Sequence, residues 1–511
     1  MTKALMIQGT GSGVGKSLLV SGLCRLFRNA GVDVAPFKAQ NMALNSFITR
    51  EGGEIGRAQA LQAEAAKIEP SFDMNPILLK ATSEASCQVI MHGRVHSNMD
   101  ARSYYAFKNE AWAAVTESFD RLSNKHDLII IEGAGSPAEI NLSKDEIVNM
   151  SIARYARAPV ILVGDIDKGG VFASLFGTIA LLDRDASYIR AFIINKFRGD
   201  MSLLEPGLHM ISEKTGRPVC GVIPYLGDLG LHEEDGIPPE RCLPIVKTGR
   251  PDTIRIVVLR LRYIANFTDF DPFLYEPDVE VIYSLRLEDI ENADVVMIPG
   301  SKNTVNDLRF LMETGIASRI KKAAEKGAMI VGLCGGYQML GRKIFDPFGV
   351  ESHHNEVAGI GLLDVETVFE NKKVTTQAEA VFNCGSEFLV QRAESAHDEP
   401  LRGYEIHMGR TTGDVRLFTL KRISAHHSES IISEGSVKGN VWGTYLHGIF
   451  DNNQFRRHFI NLLRVKRGFG AVSSRVDYAS LREEALEKWA SIIQKHIDMR
   501  SIENIIYNFT V

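Results

Sequence analysis

The sequence predicts an α/β protein made of two doubly wound, mostly parallel sheets followed by a helical C-terminal tail. Three observations predict it. From residue 3 to about 225, short β-rich apolar runs alternate with helical spacing, the pattern of a parallel sheet with helices on both faces. A second alternating series starts near residue 253, after a break rich in Gly, Pro and charge. In each series one apolar run ends in a glycine-rich turn that leads directly into a helical pattern, and ligands of such sheets sit beyond the carboxyl ends of the strands. At 511 residues the chain exceeds what one core usually serves. The expected division is a first domain over 1–235, a linker over 236–252, a second domain over 253–452 and a helical extension over 453–511.

The first strand, "KALMIQG", runs into "GTGSGVGKS", Gly9 to Ser17. This nearly satisfies the phosphate-binding pattern G-x-x-x-x-G-K-[ST], with Thr10 standing where the pattern has its first glycine. Gly9 supplies an early turn one position upstream, and Gly11, Gly13 and Gly15 allow successive N–H groups to face one concavity at a helix N-terminus. The next stretch, "KSLLVSGLCRLFRNAG", has helical apolar spacing, so Lys16 is expected on the β- and γ-phosphates of ATP and Ser17 on Mg²⁺. The strand "DVAPF" is followed by a polar set, Lys38, Gln40, Asn41 and Asn45, suited to a substrate with carboxylate and amide arms; an unliganded polar loop is the alternative. "DLIIIEG" ends at Glu132, a second candidate metal ligand, or else a solvated strand-end acid. "APVILVGD" ends at Asp165, with Asp167 just beyond, as a metal or substrate ligand. "AFIINKF" places Asn195 for a purine edge or for turn capping, and "VCGVIPY" closes the series.

The second series comprises "TIRIVVLRL", "DVEVIYS", "ADVVMIPG", "AMIVGLCGG" and, much later, "VWGTYLHGIF". In "AMIVGLCGGYQMLG" a strand turns sharply into a helix at Cys334, the shape of a nucleophile elbow. Small neighbours permit the strained turn, and the helix N-terminus favours a thiolate. Backbone N–H groups at Gly335 and around Gly300 and Ser301 are the expected oxyanion donors. Fourteen histidines compete as base; His447, ending a late strand, and His407 in "GYEIHMGRT" are the candidates. The tail carries helical spacing in "LREEALEKWASIIQKHI".

Composition narrows the function classes. A formal net charge of -5 and a pI near 6.3 argue against nucleic acid as a partner. Apolar runs are strand-length, so no membrane span is expected. Six cysteines, at 24, 87, 220, 242, 334 and 384, are too sparse for a disulfide framework or a CxxC metal site, and the expected compartment is the cytoplasm.

The loop "GTGSGVGKS" resembles that of the dethiobiotin synthetase-like P-loop ATPases, which activate a carboxylate or carbamate as an acyl phosphate. "PFKAQNMALNSF", followed by "GGEIGRAQALQAEAA" and "DMNPILLK", resembles the corresponding segment of the cobyric acid synthase family, whereas its a,c-diamide synthase sibling is expected to carry a Gly-Pro-Asp segment there. "GLCGGYQ" and "GTYLHGIF" resemble the nucleophile and histidine motifs of class I glutamine amidotransferase domains, which selects His447 over His407. The resemblance implies L-glutamine, ATP and Mg²⁺, and a corrinoid polycarboxylate, adenosylcobyrinic acid a,c-diamide, amidated at four peripheral carboxylates. Many such domains have a glutamate two positions after the histidine, where this chain has Ile449, so the third member is open between Glu405 and a Cys–His dyad. A P-loop regulatory ATPase with a degenerate amidotransferase domain is the rival of another class; its loop usually has an early second lysine, absent here.

Overall fold

The computed structural model describes residues 2–82, 86–141, 146–227, 229–231, 252–383, 400–423, 430–473 and 476–510. Apart from residue 252, the expected linker lies outside the described residues. The chain forms two compact units: Met1–Ala43, Glu54–Asp235 and Ser480–Val511 make the first; Leu44–Gly53 and Gly236–Ala479 make the second. The units therefore cut across the contiguous segments expected from sequence at two places, residues 44–53 and the tail.

The first unit is built on a six-stranded, all-parallel sheet in the order Val219–Pro224, Ile189–Phe197, Val160–Asp165, Lys3–Gly9, Leu128–Glu132, Val34–Phe37. These are the six runs predicted. Their side chains are buried on both faces, which is why they read as continuous apolar stretches rather than alternating ones. In register, Ile7 lies beside Glu132 and Asp165 beside Asn195, so the polar residues ending each strand gather at one sheet edge. A four-stranded sheet of Gln40–Met42, Ile77–Ala81, Ser86–Met91 and Arg94–Asp100 was not foreseen.

Helices Tyr478–His496 and Met499–Asn508 contribute Leu486, Trp489, Ile493, Ile502 and Ile506 to the apolar layer formed with Leu5, Ile7, Leu19 and Leu23. The packing is close: a Cβ on Gly22 of helix Lys16–Asn29 would lie 2.1 Å from Ile493 Cδ1. Trp489 Nε1 donates to Leu18 O at 2.6 Å, and fully buried Arg25 pairs with Glu487 at 2.7 Å.

The second unit has a sheet in the order Val279–Ser284, Ile254–Leu259, Val295–Ile298, Met329–Leu333, Val441–Thr444, parallel throughout, with Ser436–Lys438 antiparallel at its edge. Beside it stands a second, mostly antiparallel sheet whose long members are Val365–Phe382 and Leu401–Gly413. Helix Asn453–Lys466, expected in the extension, belongs to this unit's core through Phe455, Phe459, Ile460 and Leu463. Its buried Arg456 pairs with Glu276 at 2.8 Å and Arg457 with Asp278 at 2.7 Å.

Candidate active site

In the first unit, Gly13 and Gly15 take left-handed φ of 70° and 96°, and Gly15 caps helix Lys16–Asn29. The loop's amides thus face a helix N-terminus, the arrangement that binds phosphate. Gly9 is required by close approach, since a Cβ there would lie 2.5 Å from Val14 Cγ2. Lys16 folds over the loop and donates to Gly11 O at 2.9 Å. Glu132, buried, is the hub: Ser17 Oγ donates to its Oε1 at 2.8 Å, Lys38 Nζ pairs with the same oxygen at 2.8 Å, and Gln62 Nε2 donates to Oε2 at 2.6 Å. A cavity of about 390 Å³ is lined by Gly13, Gly15, Lys16, Ser17, Lys38, Asn41, Glu132 and Lys196, among others.

Several expected residues have different surroundings. Asp165 is outside that lining; its carboxylate pairs with Lys196 Nζ at 3.0 Å and accepts from Asp167 N at 2.9 Å. Asn195 donates to Val14 O at 2.8 Å and accepts from Lys196 N, which favours a brace behind the loop over a purine contact. Gln40 accepts from Tyr104 OH and does not line the cavity, whereas its neighbour Asn41 does, with its amide on Gln59 at 3.0 Å. Asn45 belongs to the second unit. Gln62 and Lys196 escaped sequence reading, though Gln62 lies within "AQALQAEAA", where a polar side chain recurs on an alanine-rich helix.

For a divalent cation, Ser17 and Glu132 suit Mg²⁺, which takes few protein oxygens and leaves other positions to water and phosphate. Asp165 lies outside the lining of that cavity. Among the described residues no group of three or more His, Cys, Asp or Glu side chains forms a metal cluster.

In the second unit, Cys334 has φ 50° and ψ −107°, a backbone conformation costly for a residue with a Cβ, between strand Met329–Leu333 and helix Gly335–Leu340. Glycines make the elbow possible: a Cβ on Gly336 would lie 1.9 Å from Ile298 O. His447 is buried, and among the described residues its Nε2 has no hydrogen-bond partner. A Cβ built on Gly300 would meet His447 Cε1 at 3.4 Å and Cys334 Cβ at 3.8 Å, so both side chains converge on the space that Gly300 leaves open.

Gly300–Ser301 pairs antiparallel with Ile264–Ala265, and Lys302 N donates to Tyr263 O at 2.8 Å. Bonded and non-bonded pairs alternate along such a ladder, so Gly300 shares the bonded phase while the Ser301 amide turns away from it. That amide lies 2.8 Å from where a Cβ on Gly335 would sit. Of the donors expected around Gly300 and Ser301, the ladder leaves the Ser301 amide, beside Gly335, as the candidate.

The open third position has an occupant that sequence reading missed. His447 Nδ1 lies 2.7 Å from Asp269 Oδ2, and Gly448 N donates to Asp269 Oδ1 at 2.9 Å. Burial disfavours a charged imidazole, but Asp269 and Cys334 outweigh it and push His447 up to about 10. Glu405 is not on His447: it accepts from Arg422 Nε at 2.5 Å and lies 3.2 Å from His407 Nε2, which together with Arg422 hold it down at about 2 against its burial. His407 is thereby committed as well, its Nδ1 2.7 Å from Gly409 O.

A phosphate loop over a lysine- and glutamate-lined cavity, and a Cys–His–Asp set at an elbow, define an ATP-dependent glutamine amidotransferase. Similarity to known proteins agrees. The CobQ/CobB/MinD/ParA nucleotide binding domain model matches residues 5–239, and the CobB/CobQ-like glutamine amidotransferase domain model matches 255–455. A cobyric acid synthase of Thermodesulfovibrio yellowstonii is 47% identical, over 99% of this chain and 99% of its own. Another, from Thermoanaerobacter sp., is 47% identical over 100% of both chains, and one from Dehalococcoides mccartyi is 46% identical over 99% of both. The chain belongs to the cobyric acid synthase family, whose glutamine-dependent amidation serves cobalamin biosynthesis. No described helix is long and apolar enough to cross a membrane.

Proposed function

We propose that this enzyme amidates four peripheral carboxylates of adenosylcobyrinic acid a,c-diamide to give adenosylcobyric acid, using one glutamine and one ATP for each. The observation that carries the reading is the presence, on one chain, of a cysteine–histidine pair at a strained elbow and a phosphate-loop cavity that holds Lys38 and Asn41. Cys334 attacks the glutamine side-chain carbonyl, the Ser301 and Gly335 amides receive the oxyanion, and His447 hands a proton to the leaving ammonia. In the other unit Lys16 and the loop amides hold the triphosphate. Lys38 and Asn41 orient the carboxylate that becomes an acyl phosphate, and ammonia then displaces the phosphate to leave the amide. Ser17 and Glu132 are the residues that would hold Mg²⁺, which when bound offsets charge on the phosphate oxygens.

The substrate assignment is tested by incubating the enzyme with the corrinoid diamide, glutamine, ATP and Mg²⁺ and following product masses. Four successive acid-to-amide conversions are expected. No conversion of the diamide, with two conversions when the undecorated acid is supplied in its place, would instead place the enzyme with its diamide synthase sibling.

A further inference from the structure

We infer that Asp269 and Asn45 form a positioning chain for His447, so that the short segment Leu44–Gly53 is a working part of the glutaminase site. The inference rests on the amidotransferase reading and adds to it the question of what fixes the imidazole. All the residues involved lie in the second unit.

One carboxylate holds both the ring and the backbone behind it: Asp269 meets His447 Nδ1 at 2.7 Å and accepts from Gly448 N at 2.9 Å. With Asp269 at Nδ1, the proton-transferring nitrogen on the Cys334 side is Nε2, which has no other partner among the described residues. Asp269 is carried on the turn that starts at Asn266, a non-glycine residue in the left-handed region at φ 53°. Such a turn keeps its shape only where neighbours over-determine it. Those neighbours come from the segment 44–53. Ser46 N donates to Asn266 Oδ1 at 3.0 Å, and Phe267 N donates to Asn45 Oδ1 at 3.2 Å. The same segment reaches the other face of the histidine: Tyr404 OH donates to Ser46 O at 3.3 Å, and the Tyr404 ring stacks on His447 at 5.3 Å and 19°. Asn45, Ser46, Asn266, Asp269 and Tyr404 are all buried, so these hydrogen bonds face little competition from water. Asn45 is thus a positioning residue of ammonia release rather than a contact to the acceptor acid.

The test uses the full chain, with Asp269→Asn and Asn45→Ala compared against wild type. Three quantities are measured: glutamine-driven amidation, ammonium-driven amidation, and the rate at which a glutamine-analogue diazoketone labels Cys334. For Asp269→Asn, glutamine-driven kcat is expected to fall about a hundredfold or more, the range for removing support from a catalytic base. For Asn45→Ala the expected fall is about tenfold, with KM for glutamine within about twofold, because the turn shifts rather than the pocket. In both variants labelling slows in step and ammonium-driven amidation is kept. Equal losses with glutamine and ammonium would overturn the inference for Asn45, returning it to the acceptor site or to general stability. Unchanged glutamine turnover in Asp269→Asn, which carries the test should Asn45→Ala not fold, would overturn it for Asp269. A wild-type enzyme that uses neither nitrogen source would instead sink the amidotransferase reading itself.

Discussion

At the scale of single residues, the site works through buried charge. Asp269 and Cys334 outweigh burial and push His447 up to about 10, with the Tyr404 ring stacked on its face. Because the folded value lies above the ordinary 6.5, the stability from this pair is full below about 6.5 and is lost as pH rises through about 10. The alkaline limb of glutaminase activity should fall in the same range, and Asp269→Asn should move it to lower pH; a pH profile of kcat/KM checks this. Glu434 titrates the other way round for an acid: burial pushes it up to about 8 although it accepts from Thr444 Oγ1 at 2.6 Å and Tyr445 N at 2.7 Å. Charging it costs the native state, so stability is full below about 4.5 and falls as pH rises from there through about 8. Glu434→Gln keeps acceptor capacity without the charge and should flatten that fall, seen as denaturant midpoints that differ least below about pH 4.5 and increasingly favour the variant up to about pH 8. Cys334 was legible in the sequence because an elbow glycine set is a local pattern, whereas His447 was separated from His407 only by the resemblance of "GTYLHGIF" to a family motif. Asp269 was not legible, since it stands 178 residues before the histidine it holds and no spacing rule joins them.

At the scale of elements, strands buried on both faces announced themselves, while the antiparallel sheet did not. Val365–Phe382 alternates buried positions with Glu, Lys and Gln, so its apolar content is diluted and no run stands out. The tail read correctly as helical, but where it packs depends on surface matched in three dimensions. Its Trp489 wedges against the helix that the phosphate loop caps, and Gly22 leaves the room. Trp489→Ala should therefore cost roughly 3–5 kcal/mol from lost packing alone. Because helix Lys16–Asn29 begins at the loop, the same variant should weaken ATP binding while leaving diazoketone labelling of Cys334 intact; chemical denaturation and nucleotide titration measure the two effects.

At the scale of the whole molecule, two chemistries share one chain, and both were legible as local motifs. Cys334→Ala should abolish glutamine use and retain amidation with added ammonium, checked by product mass. The cavity over the phosphate loop gathers Lys16, Lys38 and Lys196 around Glu132, with Lys196 also paired to Asp165. Each amidation removes one negative charge from the substrate, so successive intermediates should be held less tightly and appear free in solution; a time course with only starting acid and final product would contradict this. The return of residues 480–511 to the first unit has a consequence for how the protein is made. On the ribosome, the layer beneath the nucleotide loop lacks Trp489 and its neighbours until the glutaminase unit has been synthesised. At about 5–20 residues per second that interval is on the order of tens of seconds. The nascent ATP-binding half must spend it with one face of its sheet incompletely covered, making it the part of the chain that most needs a chaperone.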